Sequence, residues 1–265
     1  MYLPKKLLSQ YKQINKKYLV LIFSFGCIIL LLIAAEAYYL NSENVKPAIF
    51  KTHEEKIFEN YKNKIFGIDI SHYQGRVEWG KLKKINKETE ISFIIMRAAV
   101  GEDDEDQEFS TNWYHAKKLN IIRGAYHYYR PDENSIKQAD NFISIVNLEK
   151  GDLPPVLDIE AVPSLQSIKS LKKGLKKWLN KVETHFGIKP IIYTSDSYYK
   201  NYLSDTTFQN YIFWIANFNP VMHPQFKKWK IWQFSKTGRI EGINHDVDFN
   251  VFNGNIEELK KMTKK

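Results

Sequence analysis

The apolar positions of this chain change character near residue 64. Upstream, one run dominates: residues 19–35 read LVLIFSFGCIILLLIAA, 17 residues without a charge or a polar face. As a helix this run is about 26 Å long, close to the roughly 30 Å core of a bilayer. Tyr18, Tyr38 and Tyr39 flank it, and Lys5, Lys6, Lys12, Lys16 and Lys17 precede it. The pattern predicts a cytoplasmic basic tail over 1–18 and a transmembrane signal anchor over 19–40, with the rest extracytoplasmic, in the periplasm or at the cell surface. Ala35-Glu36-Ala37 also resembles a signal-peptidase site, so a cleaved, secreted form is the alternative. Residues 41–63 are polar and predict a linker, with a helical pattern around 53–61.

Downstream, short apolar runs alternate with amphipathic ones. The short runs predict eight strands, at 65–70, 92–98, 121–128, 156–159, 190–194, 211–216, 230–234 and 247–251. Helical periodicity falls between the early strands, at 79–85, 109–119, 135–148 and 165–186. In the last of these, Leu171, Leu175, Trp178, Leu179, Val182 and Phe186 share one face and Gly187 ends the pattern. Strands followed by helices predict an α/β architecture, an irregular (β/α) TIM-like barrel over 64–258. The last three strands lie too close together for full helices, so the final third carries few. A basic tail over 259–265 completes the expected organisation.

Composition narrows the function. An apolar fraction of 43% and 16 tyrosines exclude wholesale disorder. The formal charge is +9, but the N-terminal lysines supply much of it, leaving a mildly basic domain that suits anionic partners. No basic stripe interleaved with aromatics points to nucleic acid. The single cysteine, Cys27, lies in the apolar run, which excludes an intrachain disulfide and Cys-based zinc or redox chemistry. Seven histidines are scattered without the close spacing of a helical zinc motif.

The acids are more pointed. In PVLDIEA (155–161), Asp158 and Glu160 interrupt an apolar strand two positions apart, on the same face. Barrel enzymes carry their chemistry at strand C-terminal ends. Asp69 ends the first strand, and Asp248 lies in the eighth, adjacent to the first in a closed barrel. Four acids at one mouth raise one another's pKa and favour a carboxyl that stays protonated, as a general acid must. A D-x-E pair at a strand end is also consistent with surface acids or helix caps, and clustered acids with a divalent cation. Ser71 beside His72 does not make a triad, since adjacent strand residues face opposite ways.

A set of motifs then carries a resemblance: GIDISHYQG (67–75), GAYHYYRP (124–131), PVLDIEA (155–161), IIYTS (191–195), WIANF (214–218) and IWQFSKTGRIEGINHDVDFNVFNG (231–254). In this order they resemble the glycoside hydrolase family 25 lysozymes, the Chalaropsis- or Cellosyl-type N-acetylmuramidases. The resemblance implies an irregular β/α barrel that cleaves the β-1,4 bond between N-acetylmuramic acid and N-acetylglucosamine in peptidoglycan glycan strands, with no cofactor and no metal required. It implies Glu160 as general acid, Asp158 as the group that orients the substrate N-acetyl group, and Asp69 and Asp248 as shapers of the cleft's electrostatics. Tyr126, Tyr193, Trp232, Gln74 and His127 are the expected substrate contacts. Many relatives carry an acid before the glycine that comes after the second strand. Here Val100 precedes Gly101 and the acids come later, at Glu102 to Asp106. A non-catalytic peptidoglycan-binding adaptor and a hydrolase of another N-acetylated glycan, such as chitin, are the alternatives.

Overall fold

The computed structural model describes residues 30–36, 51–219, 223–226 and 228–265. Contacts divide the chain into Met1–Lys51 and Thr52–Lys265. In the first unit, residues 30–36 are helical and exposed; the rest of the expected anchor and the basic tail lie outside the described residues. Among the described residues no helix is long and apolar enough to cross a membrane.

The second unit is the barrel. Its strands are β1 (Ile65–Ile70), β2 (Phe93–Val100), β3 (Asp104–Glu105), β4 (Ile122–Tyr128), β5 (Val156–Asp158), β6 (Ile191–Ser195), β7 (Ile212–Ala216), β8 (Ile231–Gly238) and β9 (Val247–Phe252). The sheet order is β1-β9-β8-β7-β6-β5-β4-β2-β3, and a β1–β2 pairing closes eight strands into a ring, leaving the two-residue β3 beside β2. Pairing is parallel from β1 through β2 and β4 round to β8. The closing strand β9 is antiparallel to both its neighbours. Only 239–246 separate β8 from β9, too few residues for a parallel crossover of a dozen or more, so the connection is a hairpin. β1 approaches β2 so closely that a Cβ at Gly67 would meet the Phe93 carbonyl oxygen at 2.4 Å.

The longer helices are α1 (His53–Asn60), α2 (Phe109–Lys118), α3 (Ser135–Ile145), α4 (Ile168–Phe186) and α5 (Ile256–Met262). Ser167 caps α4 through its hydroxyl, Gly187 ends it in the left-handed region at φ 70°, and the expected apolar stripe is buried. Each such side chain contributes about 1.5–3 kcal/mol of burial. The expected helix at 79–85 is absent. Trp79, Leu82 and Ile85 are buried, but within turns: Glu78 donates to the Gly242 carbonyl, and the Asn86 side chain accepts from the Glu88 and Thr89 amides, folding the chain back.

Two expected peripheral segments belong to the barrel body. The later part of the supposed linker is α1. It starts with a reciprocal Thr52–Glu55 capping box and buries Ile57. Phe58 lies 4.9 Å from Phe66 and 5.6 Å from Phe234, ring to ring. Ser235 donates to Glu54 at 2.8 Å. The supposed basic tail continues α5, whose Leu259 is buried in the apolar cluster with Phe93, Ile95, Val156, Ile191, Ile231 and Phe252. Backbone bonds from Lys264 to both Gly151 and Asp152 then hold the end of the chain against the barrel. That cluster fills the barrel below the mouth, and a larger one lies between the strands and the helices.

Candidate active site

The strand period of two sorts the mouth. On β8, Gln233 faces inward while Trp232 and Phe234 face the outer layer. On β9, Asp248 and Asn250 share the inward face. The antiparallel sense of β9 matters here. Asp248 is the second residue of its strand, and in a parallel barrel it would sit at the bottom. Running backwards, β9 brings it to the mouth, directly opposite Asp69 in the register.

A cavity of about 70 Å³ results, lined by Asp69, Tyr126, Asp158, Glu160, Tyr193, Trp214, Gln233 and Asp248. Asp69 is its most constrained acid, buried at 6% exposure. Its Oδ2 accepts from Gln233 Nε2 at 2.9 Å and from Asn250 Nδ2 at 2.6 Å. Each amide is oriented by an aromatic donor: Tyr193 Oη donates to Gln233 Oε1 and Trp214 Nε1 to Asn250 Oδ1, both at 2.8 Å. Since an indole N–H only donates, the Asn250 oxygen must face Trp214 and its NH2 must face Asp69. Tyr193 and Trp214 also meet edge to face, with centroids 4.5 Å apart.

Crowding sets the electrostatics. Burial, then the charge of Asp248, pushes Asp69 well above the usual carboxylate range against the opposing effect of its two amide donors. Burial, then Glu160 and Asp69, does the same for Asp158. Burial raises Asp248 to about 6. Glu160 stands at the lip with its side chain open to water. Desolvation on its inner side raises its pKa, and solvent access limits that rise. Asp158 is 4% exposed, and its Oδ1 lacks a hydrogen-bond partner. Buried polar atoms are rarely left so; this one is ready for a donor brought by a substrate.

The sequence-predicted residues divide accordingly. Glu160, Asp158, Asp69, Asp248, Tyr126 and Tyr193 come together. Trp232 does not: it is fully buried among Tyr61, Trp229 and Phe234 and donates to the Asn217 carbonyl. His127 does not either. It lies outside the strand layer, 5.6 Å from Trp178, with Nε2 donating to Gln138. Burial drops its pKa to about 4, so it is neutral. Gln74 is tied up in a turn: its Oε1 accepts from the Ser71 amide and its Nε2 donates to the Asp246 carbonyl, both at 2.8 Å. Asn250 and Trp214 take the missing places. Alternation from Asp248 could have located Asn250.

The acids after Val100 turn to structural use. Glu102 pairs with Lys137 and Asp104 with Arg130. Asp106 accepts from Arg97 Nε at 2.9 Å and from the His72 amide at 2.9 Å, holding Arg97 where its charge opposes the rise at Asp158. Among the described residues no group of His, Cys, Asp or Glu is disposed to hold a metal ion.

Comparison with known proteins converges with this geometry. The profile of glycosyl hydrolases family 25 matches residues 68–243. The chain belongs to that family. Lysozyme M1 of Streptomyces globisporus is 34% identical over 207 residues, covering 73% of this chain and 69% of that protein. The Escherichia coli K12 protein YegX is 38% identical over 203 residues, covering 74% and 72%. The crystal structure of a Streptomyces coelicolor lysozyme superposes with a TM-score of 0.68 at 32% identity, covering 76% of this chain and 97% of that one. As a family 25 member the protein is a glycoside hydrolase of the muramidase type, and the eight-stranded barrel is the family's fold.

Proposed function

We propose that the protein hydrolyses peptidoglycan at the β-1,4 bond between N-acetylmuramic acid and N-acetylglucosamine. Glu160 is the general acid, and Asp158, Asp69 and Asp248 support it. The observation that carries this reading is the convergence of four carboxyls on one small cavity, only one of which stands open at the lip. The relatives named lysozymes supply the substrate class.

In this mechanism Glu160 gives its proton to the glycosidic oxygen as the bond from C1 to that oxygen breaks. The positive charge growing on the sugar ring is stabilised by the negative charge that the clustered carboxyls below it share. The unpartnered Oδ1 of Asp158 accepts the N–H of the substrate acetamido group and aligns it beside C1. Asp69, clamped by Gln233 and Asn250, is held in place and need not reorganise during the reaction. Water finally supplies the C1 hydroxyl and returns a proton to Glu160. The phenols of Tyr126 and Tyr193 are held neutral, their pKa values pushed far up by burial and the surrounding acids; they act as walls and donors. The lysine-led apolar run at 19–35 supports an enzyme held at a membrane with the barrel outside the cytoplasm.

The test is Glu160→Gln. It removes the proton donor at a solvent-open position, so reducing-end release from purified peptidoglycan falls at least about a hundredfold while the thermal melt is preserved. Mass spectrometry of wild-type products shows fragments ending in reducing N-acetylmuramic acid. Retained activity in the variant, or reducing N-acetylglucosamine ends, refutes the proposal. Binding without turnover by the wild type identifies an adaptor.

A further inference from the structure

The cleft as described is lined by acids and neutral groups, yet peptidoglycan is itself anionic. Its stem peptides carry carboxylates, as do muramyl lactyl groups that bear no stem, and the cleft's acids would repel them. The hairpin that closes the barrel contains a group that answers this. Pairing between β8 and β9 passes from Ser235–Phe249 to Gly238–Val247. Two residues of β8, Lys236 and Thr237, therefore stand opposite the single residue Asp248. This is a β-bulge, a device that re-aims side chains beside active sites. The Thr237 amide donates to the Ser235 hydroxyl at 3.2 Å, which fixes the bulged segment.

The bulge presents Lys236 at the mouth. The side chain is exposed, and its ammonium lies 5.6 Å from the centre of the Phe218 ring, on the segment after β7. Phe218 is 40% exposed. The neighbouring cation on the same hairpin, Arg239, is committed to Asp246 at 2.8 Å. Among the described residues Lys236 makes no ion pair or hydrogen bond. An ammonium resting on an aromatic face beside a sugar cleft, with its donors unspent, fits a carboxylate brought by the polymer.

We propose that Lys236, seated against Phe218, forms a subsite for a carboxylate on the substituents of the glycan, and thereby favours carboxylate-bearing peptidoglycan over its neutralised form. This inference rests on the hydrolase reading above and adds the charge preference of its substrate.

The experiment uses the full chain and two substrates: purified peptidoglycan, and the same material with its carboxyls converted to methylamides by carbodiimide coupling. Reducing-end release gives an apparent KM and kcat for each. Lys236→Met keeps the length and apolar stem while removing the charge, and Lys236→Arg keeps the charge. For the wild type, amidation raises the apparent KM about three- to fivefold, the range of a solvent-exposed charge pair. Lys236→Met raises KM on native material by the same factor and changes it little on amidated material, while Lys236→Arg resembles the wild type. Raising the salt to about 0.5 M shrinks the difference. Equal responses to amidation in the wild type and Lys236→Met overturn the subsite. So does a Lys236→Met whose pH profile moves while its KM holds, since Lys236, whose charge opposes the rise at Asp248, would then act on Asp248 alone. Absence of turnover by the wild type on both substrates defeats the hydrolase reading instead, and the subsite with it.

Discussion

Asn250 is completely buried and joins two buried groups: it donates to Asp69 at 2.6 Å, beside the second donor Gln233, and accepts from the indole N–H of Trp214 at 2.8 Å. Asn250→Ala therefore removes a hydrogen bond to a carboxylate, about 1.5–3 kcal/mol, and strands a buried indole N–H, about 1–3 kcal/mol. Together these cost roughly 2.5–6 kcal/mol while Asp69 is ionised, or a fall of roughly 5–24 °C in Tm for a domain of this size. The carboxylate part depends on pH. Losing the donor raises the pKa of Asp69 further, and once Asp69 is protonated the missing bond no longer faces a charge. The deficit shrinks on acidification, leaving mainly the indole part. Scanning calorimetry of wild type and variant at about pH 4.5 and pH 7.5 measures both quantities. A change in Tm below roughly 2 °C, or a deficit independent of pH, refutes the account of Asp69 as a buried carboxyl held by two amides.

The wild type has its own pH signature. Asp69, Asp158 and Asp248 have folded pKa values above their unfolded ones, so their share of the stability falls as pH rises, while buried neutral His127, lowered to about 4, contributes in the opposite direction. The Asp248 share begins to decline near the unfolded value of about 4 and is lost above about 6, so Asp248→Asn gains stability relative to the wild type as pH rises from about 4 to 7; a difference that stays constant over that range refutes the raised pKa. Trp232→Ala leaves a large core cavity and costs about 3–5 kcal/mol, read as a lower Tm, whereas Trp232→Phe keeps the apparent KM for peptidoglycan because the indole never reaches the cleft.

What the sequence made legible depends on how local the determinant is. The strands showed as apolar runs because both their faces are covered, and α4 showed because one apolar stripe repeats over five turns. Period two picked out Asp158 and Glu160 as a pair, although the strand ends at Asp158 and the motif set was needed to separate the pair from ordinary surface acids. The same rule, applied from Asp69 and Asp248 outward, separates Gln233 from Trp232 and Tyr126 from His127; aromatic character obscured it, since tryptophan and histidine suit a core as well as a sugar site. The supposed helix at 79–85 failed because three apolar residues at helical spacing can also be buried by successive turns. In the segment read as a linker the helical pattern over 53–61 was legible, but neither there nor in the basic tail did charge pattern reveal the backbone bonds and few apolar anchors that hold the segment. The reversed strand β9 was implicit in the short stretch before it, but its effect on Asp248 emerges only once the whole ring is drawn.

That reversed strand also bears on timing. Asn250 and Asp69 are 181 residues apart, so the pairing that clamps the buried carboxyl is among the most non-local in the molecule. Contacts of this range form late in folding, after shorter loops have closed. During vectorial synthesis the first strand must wait for the ninth, and until then neither Asn250 nor Asp248 can reach Asp69. A nascent chain therefore has no assembled cleft, and its ability to cut glycan would arise only when the ring snaps shut.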